Sequence, residues 1–170
     1  MDNAALIIID MQTGLLKRQV LNKEKLINNI NLVLEIFHAK NSTVIFVRHT
    51  NKSFSKINTP DWQIDSNLKV STTDIVINKS RSSIFNEKEF VKLLGNKDIK
   101  SIVVTGLVSN GCVQAACLDG MEKGLTVTLL SDAHSTWTKD AEKTIEEWNA
   151  KLELEGVKVM AARQYIEACE

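Results

Sequence analysis

Three residue types that can do covalent chemistry together stand in three separate segments: Asp10 in "IIIDMQ", Lys79 in "VINKSR" and Cys112 in "LVSNGCV". A thiol becomes a nucleophile when a base takes its proton and a fixed charge orients the two, and a carboxylate with an ammonium supplies both needs. Singly, each residue is ordinary. An Asp after a strand is commonly a turn former or N-cap, a Lys is commonly solvated, and a Cys is among the most often buried side chains. The grouping means something only if the fold carries all three to one edge.

The elements that would do so are legible as alternating patterns. β-branched runs predict strands at Leu6–Ile9, Thr43–Val47, Asp74–Ile77, Ser101–Thr105, Thr126–Leu130 and Val157–Met160. Runs such as "LIII" and "VIFV" suit strands covered on both faces, as in a parallel sheet. Between them, spacings predict helices near Lys23–Ala39, Glu87–Leu94, Cys112–Lys123, Lys139–Glu155 and Arg163–Ala168. Strand and helix in alternation give right-handed crossovers and an α/β fold, a three-layer α/β/α sandwich, Rossmann-like, with a mainly parallel six-stranded sheet. Ligands of such sheets bind beyond the carboxyl ends of the strands. Asp10, Lys79 and Cys112 all fall at that edge, so they read as one constellation. The long connection His49–Thr72, with Phe54, Pro60 and Trp62, reads as a lid or binding loop.

Composition narrows the partners. The 170 residues suit one domain, 1–170, and 21 basic residues balance 21 acidic ones. No global field draws in a nucleic acid or an anionic membrane. No apolar run reaches a membrane span, and Ala4–Ile9 lies too near Met1 for a signal peptide, so the cytoplasm is the expected compartment. Cys112, Cys117 and Cys169 are odd in number and lack CxxC spacing, so reduced thiols are expected rather than a disulfide framework or zinc knot. "GLVSNGCV" has the outer glycines of a phosphate loop, but Cys112 and Val113 stand where Lys and Ser/Thr are needed, and GxGxxG is absent. Phosphate and dinucleotide binding are set aside.

"IIIDMQTGLL", "VINKSRSSIF" and "VVTGLVSNGCVQAACLDGMEKGLTVTLLSDAHST" together resemble the signature regions of the isochorismatase-like cysteine hydrolases, which include nicotinamidases and other small amidases. The resemblance implies that Asp10, Lys79 and Cys112 form the catalytic triad. It further implies a cis peptide at Leu107–Val108, turning the Val108 N–H toward that of Cys112 to form an oxyanion hole. The helix N-terminus and Lys79 are expected to favour the Cys112 thiolate, with Asp10 taking its proton. The implied reaction is attack on a small amide, release of ammonia or an amine, and hydrolysis of the thioester by water that Asp10 activates.

Departures from the family pattern sharpen the expectation. Nicotinamidases usually hold a metal through an Asp-x-His pair after the second strand and a further His. Here the stretch reads "VRHTNKS", with Arg48 and Thr50 flanking His49, while His38 and His134 lie elsewhere. No metal and no cofactor are expected. Isochorismatases proper commonly lack the thiol, so Cys112 points to acyl chemistry. Trp62, His49 and Phe85 are the candidate substrate contacts, with Trp137 a weaker one. Arg81 is expected to brace its loop, and Cys117, about 140° round the helix from Cys112, to be packing, as are Asp119 and Asp132 to be structural. A homodimer or larger homo-oligomer is expected. A second class stays open: a catalytically idle member that binds a small ligand or protein, or senses redox state, through the same cleft.

Overall fold

The computed structural model describes residues 3–169; Met1, Asp2 and Glu170, the ends of the expected 1–170 domain, lie outside the described residues. Its strands are β1 (Ala4–Ile9), β2 (Thr43–His49), β3 (Ile75–Lys79), β4 (Ser101–Leu107), β5 (Thr126–Ser135) and β6 (Lys158–Met160). They form one sheet in the order β3-β2-β1-β4-β5-β6, and every neighbouring pair is parallel. The helices are α1 (Thr13–Leu16), α2 (Lys23–Ala39), α3 (Lys88–Asn96), α4 (Gln114–Glu122), α5 (Ala141–Leu154) and α6 (Ala162–Glu167).

β1 shows why the sandwich has three layers. All six of its residues are buried, and alternate side chains enter different cores. Leu6 and Ile8 pack with Leu26, Ile30, Val33, Leu34 and Phe37 of α2 and with Ala162 of α6. Ala5, Ile7 and Ile9 pack with Phe90 of α3, Ala116 and Cys117 of α4 and Leu152 of α5. Each fully buried Ile contributes about 1.5–3 kcal/mol. The apolar stripe of α2 is the one its spacing predicts, and among the described residues no helix is long and apolar enough to cross a membrane.

The strand order also fixes where a ligand crevice opens. From β1 the chain winds outward to β2 and β3, then returns to place β4 on the other side of β1. The connections leaving β1 and β4 therefore diverge, leaving a cleft above their carboxyl ends. Two strands run further than their β-branched cores suggest. β4 continues through Gly106 to Leu107, and β5 continues to Ser135 past a register shift between Val104 and Gly106. Gly106 has φ +109 and a Cβ there would lie 2.1 Å from the Ile9 carbonyl oxygen, so only glycine lets β4 approach β1 this closely.

Candidate active site

Asp10 leaves β1 with φ 54, a left-handed conformation Asp tolerates. Its N–H extends the ladder to the Val47 carbonyl at 2.9 Å, and its own carbonyl accepts from the Gln12 N–H at 2.8 Å. The side chain thereby turns up into the cleft. Lys79 is the last residue of β3 rather than a residue beyond it, and it pairs in register with His49 at the end of β2. Its Nζ donates to Asp10 Oδ2 at 3.0 Å, to Cys112 Sγ at 3.1 Å and to the Arg81 carbonyl at 3.2 Å, and lies 3.3 Å from His49 Nδ1. Arg81 thus braces the site through its backbone, its side chain being exposed.

Cys112 arrives by an irregular route. The Leu107–Val108 peptide is cis, and Ser109–Val113 form a wide turn in which the Val113 and Gly111 N–H groups share the Val108 carbonyl at 3.2 and 3.0 Å. Gly111, at φ −136 and ψ −109, breaks helical geometry inside that turn, and α4 begins only at Gln114. Helical backbone resumes after Gly111, so Cys112 stands at the junction of that turn with α4, near the expected helix start. Among the described residues the Val108 N–H has no acceptor. Behind the turn, Ser109 Oγ meets buried His134 Nδ1 at 2.8 Å, and His134 Nε2 meets Asn149 Oδ1 at 2.8 Å.

Burial and charge set the protonation states. Desolvation raises the Asp10 carboxyl above its ordinary value of 3.8, against the pull of Lys79 and the hydrogen bonds to it. Desolvation first, then the Asp10 charge, pushes the Cys112 thiol up to about 11, although Lys79 opposes the shift. The thiolate expected from Lys79 and the helix N-terminus is therefore opposed here: burial and the Asp10 charge favour the protonated sulfur. Asp10 Oδ2 is bonded to Lys79, while Oδ1 is buried without a partner among the described residues. That free oxygen is a ready proton acceptor. His49 is held neutral, its pKa lowered by burial and then by Lys79, so its Nδ1 is a fourth acceptor at 3.3 Å around an ammonium that shares three N–H groups.

A cavity of about 130 Å³ opens over this cluster. Asp10, Val108 and Cys112 line its floor, and Leu15, His49, Phe54 and Trp137 its walls. Larger hollows of about 310 and 810 Å³ contain none of the three triad positions.

Of the predicted contacts, His49 lies on the cavity; Trp62 and Phe85 do not. Trp62 is buried beneath the 49–72 segment, its indole N–H donating to Thr50 Oγ1 at 3.1 Å and its ring covered by Arg48 at 3.6 Å. Phe85 packs edge-on to Phe90, ring centroids 5.0 Å apart, in the core on the α3 side. Both are corrected to packing roles. Phe54, which stacks on His49 at 5.9 Å, takes the place given to Trp62. Gln12 was passed over: fully buried, its amide accepts from the His49 N–H at 2.7 Å and donates to the His49 and Trp62 carbonyls at 3.1 and 2.9 Å. Its signal was the "DMQ" string, where an amide follows the strand by two residues.

Asp10, His49 and Cys112 offer ligand atoms within 4.8 Å of one another, but Lys79 Nζ already bonds to this same set. An ammonium at 3.0 to 3.3 Å from each donor holds the position a metal ion would need, so these residues do not fit one.

A parallel α/β/α sheet with Asp, Lys and Cys converging over its switch point defines a class, and similarity to known proteins agrees with it. The isochorismatase domain family model matches residues 4–167. The uncharacterized isochorismatase family protein YrdC of Bacillus subtilis is 30% identical over 140 residues, covering 78% of this chain and 73% of its own. Nicotinamidase 3 of Arabidopsis thaliana is 24% identical over 153 residues, covering 81% and 75%. The crystal structure of a cysteine hydrolase from Pseudomonas syringae pv. phaseolicola superposes with a TM-score of 0.91 at 20% identity, covering 98% and 92%. The chain belongs to the isochorismatase family.

Proposed function

We propose that the protein hydrolyses the C–N bond of a small amide through a thioester on Cys112. The chain is an enzyme of the isochorismatase-like hydrolases, and the nicotinamidase relative supports an amide as the bond cleaved. One observation carries the finer reading: Lys79 Nζ joins Asp10 Oδ2 and Cys112 Sγ at 3.0 and 3.1 Å while Asp10 Oδ1 stays unpartnered.

The Cys112 proton passes to Asp10 as the sulfur attacks the amide carbonyl. Lys79 stabilises the sulfur as its proton leaves, and the negative charge then moves to the carbonyl oxygen until Asp10 gives up its proton and is a carboxylate again. The backbone N–H groups of Val108 and Cys112 bind the carbonyl oxygen as it becomes negative. Asp10 gives its proton to the departing nitrogen, ammonia or an amine leaves, and the acyl group stays on sulfur. Asp10 next removes a proton from water; the hydroxide attacks the thioester, the acid is released, and the proton returns to Cys112. The apolar walls exclude bulk water from the intermediate. A cytoplasmic location and a homo-oligomeric assembly accompany this reading, the latter testable by sedimentation.

Ammonia release from a panel of primary amides tests the reading, with Cys112→Ala as control. Turnover that Cys112→Ala abolishes supports it. Binding of amides to the wild type without any turnover would instead favour the idle binder.

A further inference from the structure

The cavity over Cys112 is small. Its volume is about 130 Å³, and Leu15, Leu107, Val108, Phe54 and Trp137 make its lining mostly apolar around Cys112. Phe54 and Trp137 supply the two aromatic carbon rings of its wall.

Arg18 stands over both rings. Its guanidinium carbon lies 5.2 Å from the centroid of the Phe54 ring and 4.7 Å from that of Trp137. The Arg18 N–H bonds to the Leu15 carbonyl at 3.2 Å, so one turn of chain sets Leu15 in the wall and Arg18 over the two rings. Two ring faces fix the guanidinium and leave its N–H edge for another partner. Among the described residues it makes no hydrogen bond and no ion pair, whereas adjacent Lys17 is paired with Asp61 at 2.5 Å.

Inside the cavity the charges cancel. Asp10 and Lys79 form a buried ion pair, and neither the Cys112 thiol nor the His49 ring is charged at neutral pH. Arg18, by contrast, has no ion-pair partner among the described residues, so its charge is left for a ligand. A guanidinium held in this way matches a carboxylate, which accepts two of its N–H groups side by side.

We infer that Arg18 binds a carboxylate on the substrate, so that the enzyme selects short ω-amido acids over neutral amides. This deepens the amidase reading and rests on it. The scissile amide lies over Cys112, two or three methylene groups lie against the apolar walls, and the acid end meets Arg18. If Arg18 only held Phe54 and Trp137 together, charge on the substrate would be indifferent.

The test compares succinamate and glutaramate with butyramide and valeramide, in the wild type and in Arg18→Gln. For the wild type, kcat/KM for each charged amide should exceed that of its neutral partner by about tenfold or more, the size of a hydrogen bond to a charged group. In Arg18→Gln the ratio should fall to near one. Calorimetric binding of succinamate to Cys112→Ala reads the same contact without chemistry, and adding Arg18→Gln should weaken it by a similar factor. A wild-type ratio near one, a ratio unchanged by Arg18→Gln, or equal binding by the single and double variants overturns the inference. Neutral amides turned over without charge preference fail Arg18 alone. Binding that depends on Arg18 with no turnover of any amide fails the amidase reading alone.

Discussion

Two buried polar clusters lie on opposite sides of the Val108–Cys112 turn, and they are built on different principles. In front, Asp10, His49 and Cys112 crowd three titratable groups around the Lys79 ammonium and leave Asp10 Oδ1 without a partner among the described residues. Behind, Ser109, His134 and Asn149 form a neutral chain with its ends satisfied: Asn149 Oδ1 accepts from His134 Nε2, His134 Nδ1 accepts from the Ser109 hydroxyl, and Asn149 Nδ2 donates to the Ser131 carbonyl at 3.3 Å. A saturated network fixes position; a site with a buried acceptor left over is poised to take a proton. The turn that holds Cys112 is thus clamped from the rear by a cluster whose hydrogen bonds are satisfied.

The sharpest way to break this contrast is Asp10→Asn. Turnover should fall by about 10²–10⁴-fold, as for loss of a general base. The thiol should respond in the opposite sense: removing the Asp10 charge removes two of the influences that raise Cys112 to about 11, while Lys79 still lowers it. Alkylation by iodoacetamide at mildly alkaline pH should therefore be faster in Asp10→Asn than in the wild type, and an equal or slower rate would show that Asp10 does not govern the sulfur. The same assignment fixes the acid limb of activity. Asp10 must be ionised to act, and its pKa is raised, so wild-type rates should fall on acidification at a pH above the ordinary carboxylate value of 3.8.

A smaller effect is expected from the rear cluster. His134→Ala leaves the Ser109 hydroxyl and the Asn149 carbonyl buried without their partner and should cost about 2–4 kcal/mol of stability by chemical denaturation, with less loss of turnover than Asp10→Asn. His134 also gives stability a pH dependence of known sign. Burial lowers its pKa below the ordinary 6.5, so the unfolded chain binds the proton more readily than the folded one. Its contribution is fully present above about 6.5 and is lost as pH falls toward the folded value. In His134→Ala that part of the acid destabilisation should disappear. A variant as stable as the wild type would contradict the clamp.

Smallest of all should be Trp62→Phe, which removes one hydrogen bond to Thr50, about 1 kcal/mol, and leaves KM unchanged. A raised KM would return Trp62 to the substrate site.

The strands were readable because β-branched runs such as that of β1 are buried on both faces, and the meeting of Asp10, Lys79 and Cys112 was readable because strand ends in a parallel sheet share an edge. What escaped was whatever depends on tertiary approach. β5 runs past Leu130 because the bulge opposite Gly106 lets "SDAHS" continue the ladder, which carries His134 to Ser109; no local periodicity encodes that. Trp62 and Phe54 are both aromatic residues in one irregular segment, and which of them faces the cavity is decided by Gln12 gripping His49 and Trp62 from across the cleft. The protonation of Cys112 escaped for a related reason. Spacing reveals that Lys79 is near, but the depth of burial and the Asp10 charge, which outweigh it, appear only in three dimensions.

The account stands on Cys112 carrying the acyl group. Acid-quenched samples of the enzyme turning over a primary amide, analysed by peptide mass spectrometry, should show that acyl mass on the Cys112 peptide, with both adduct and ammonia release absent in Cys112→Ala. Ammonia release that persists in Cys112→Ala would contradict it.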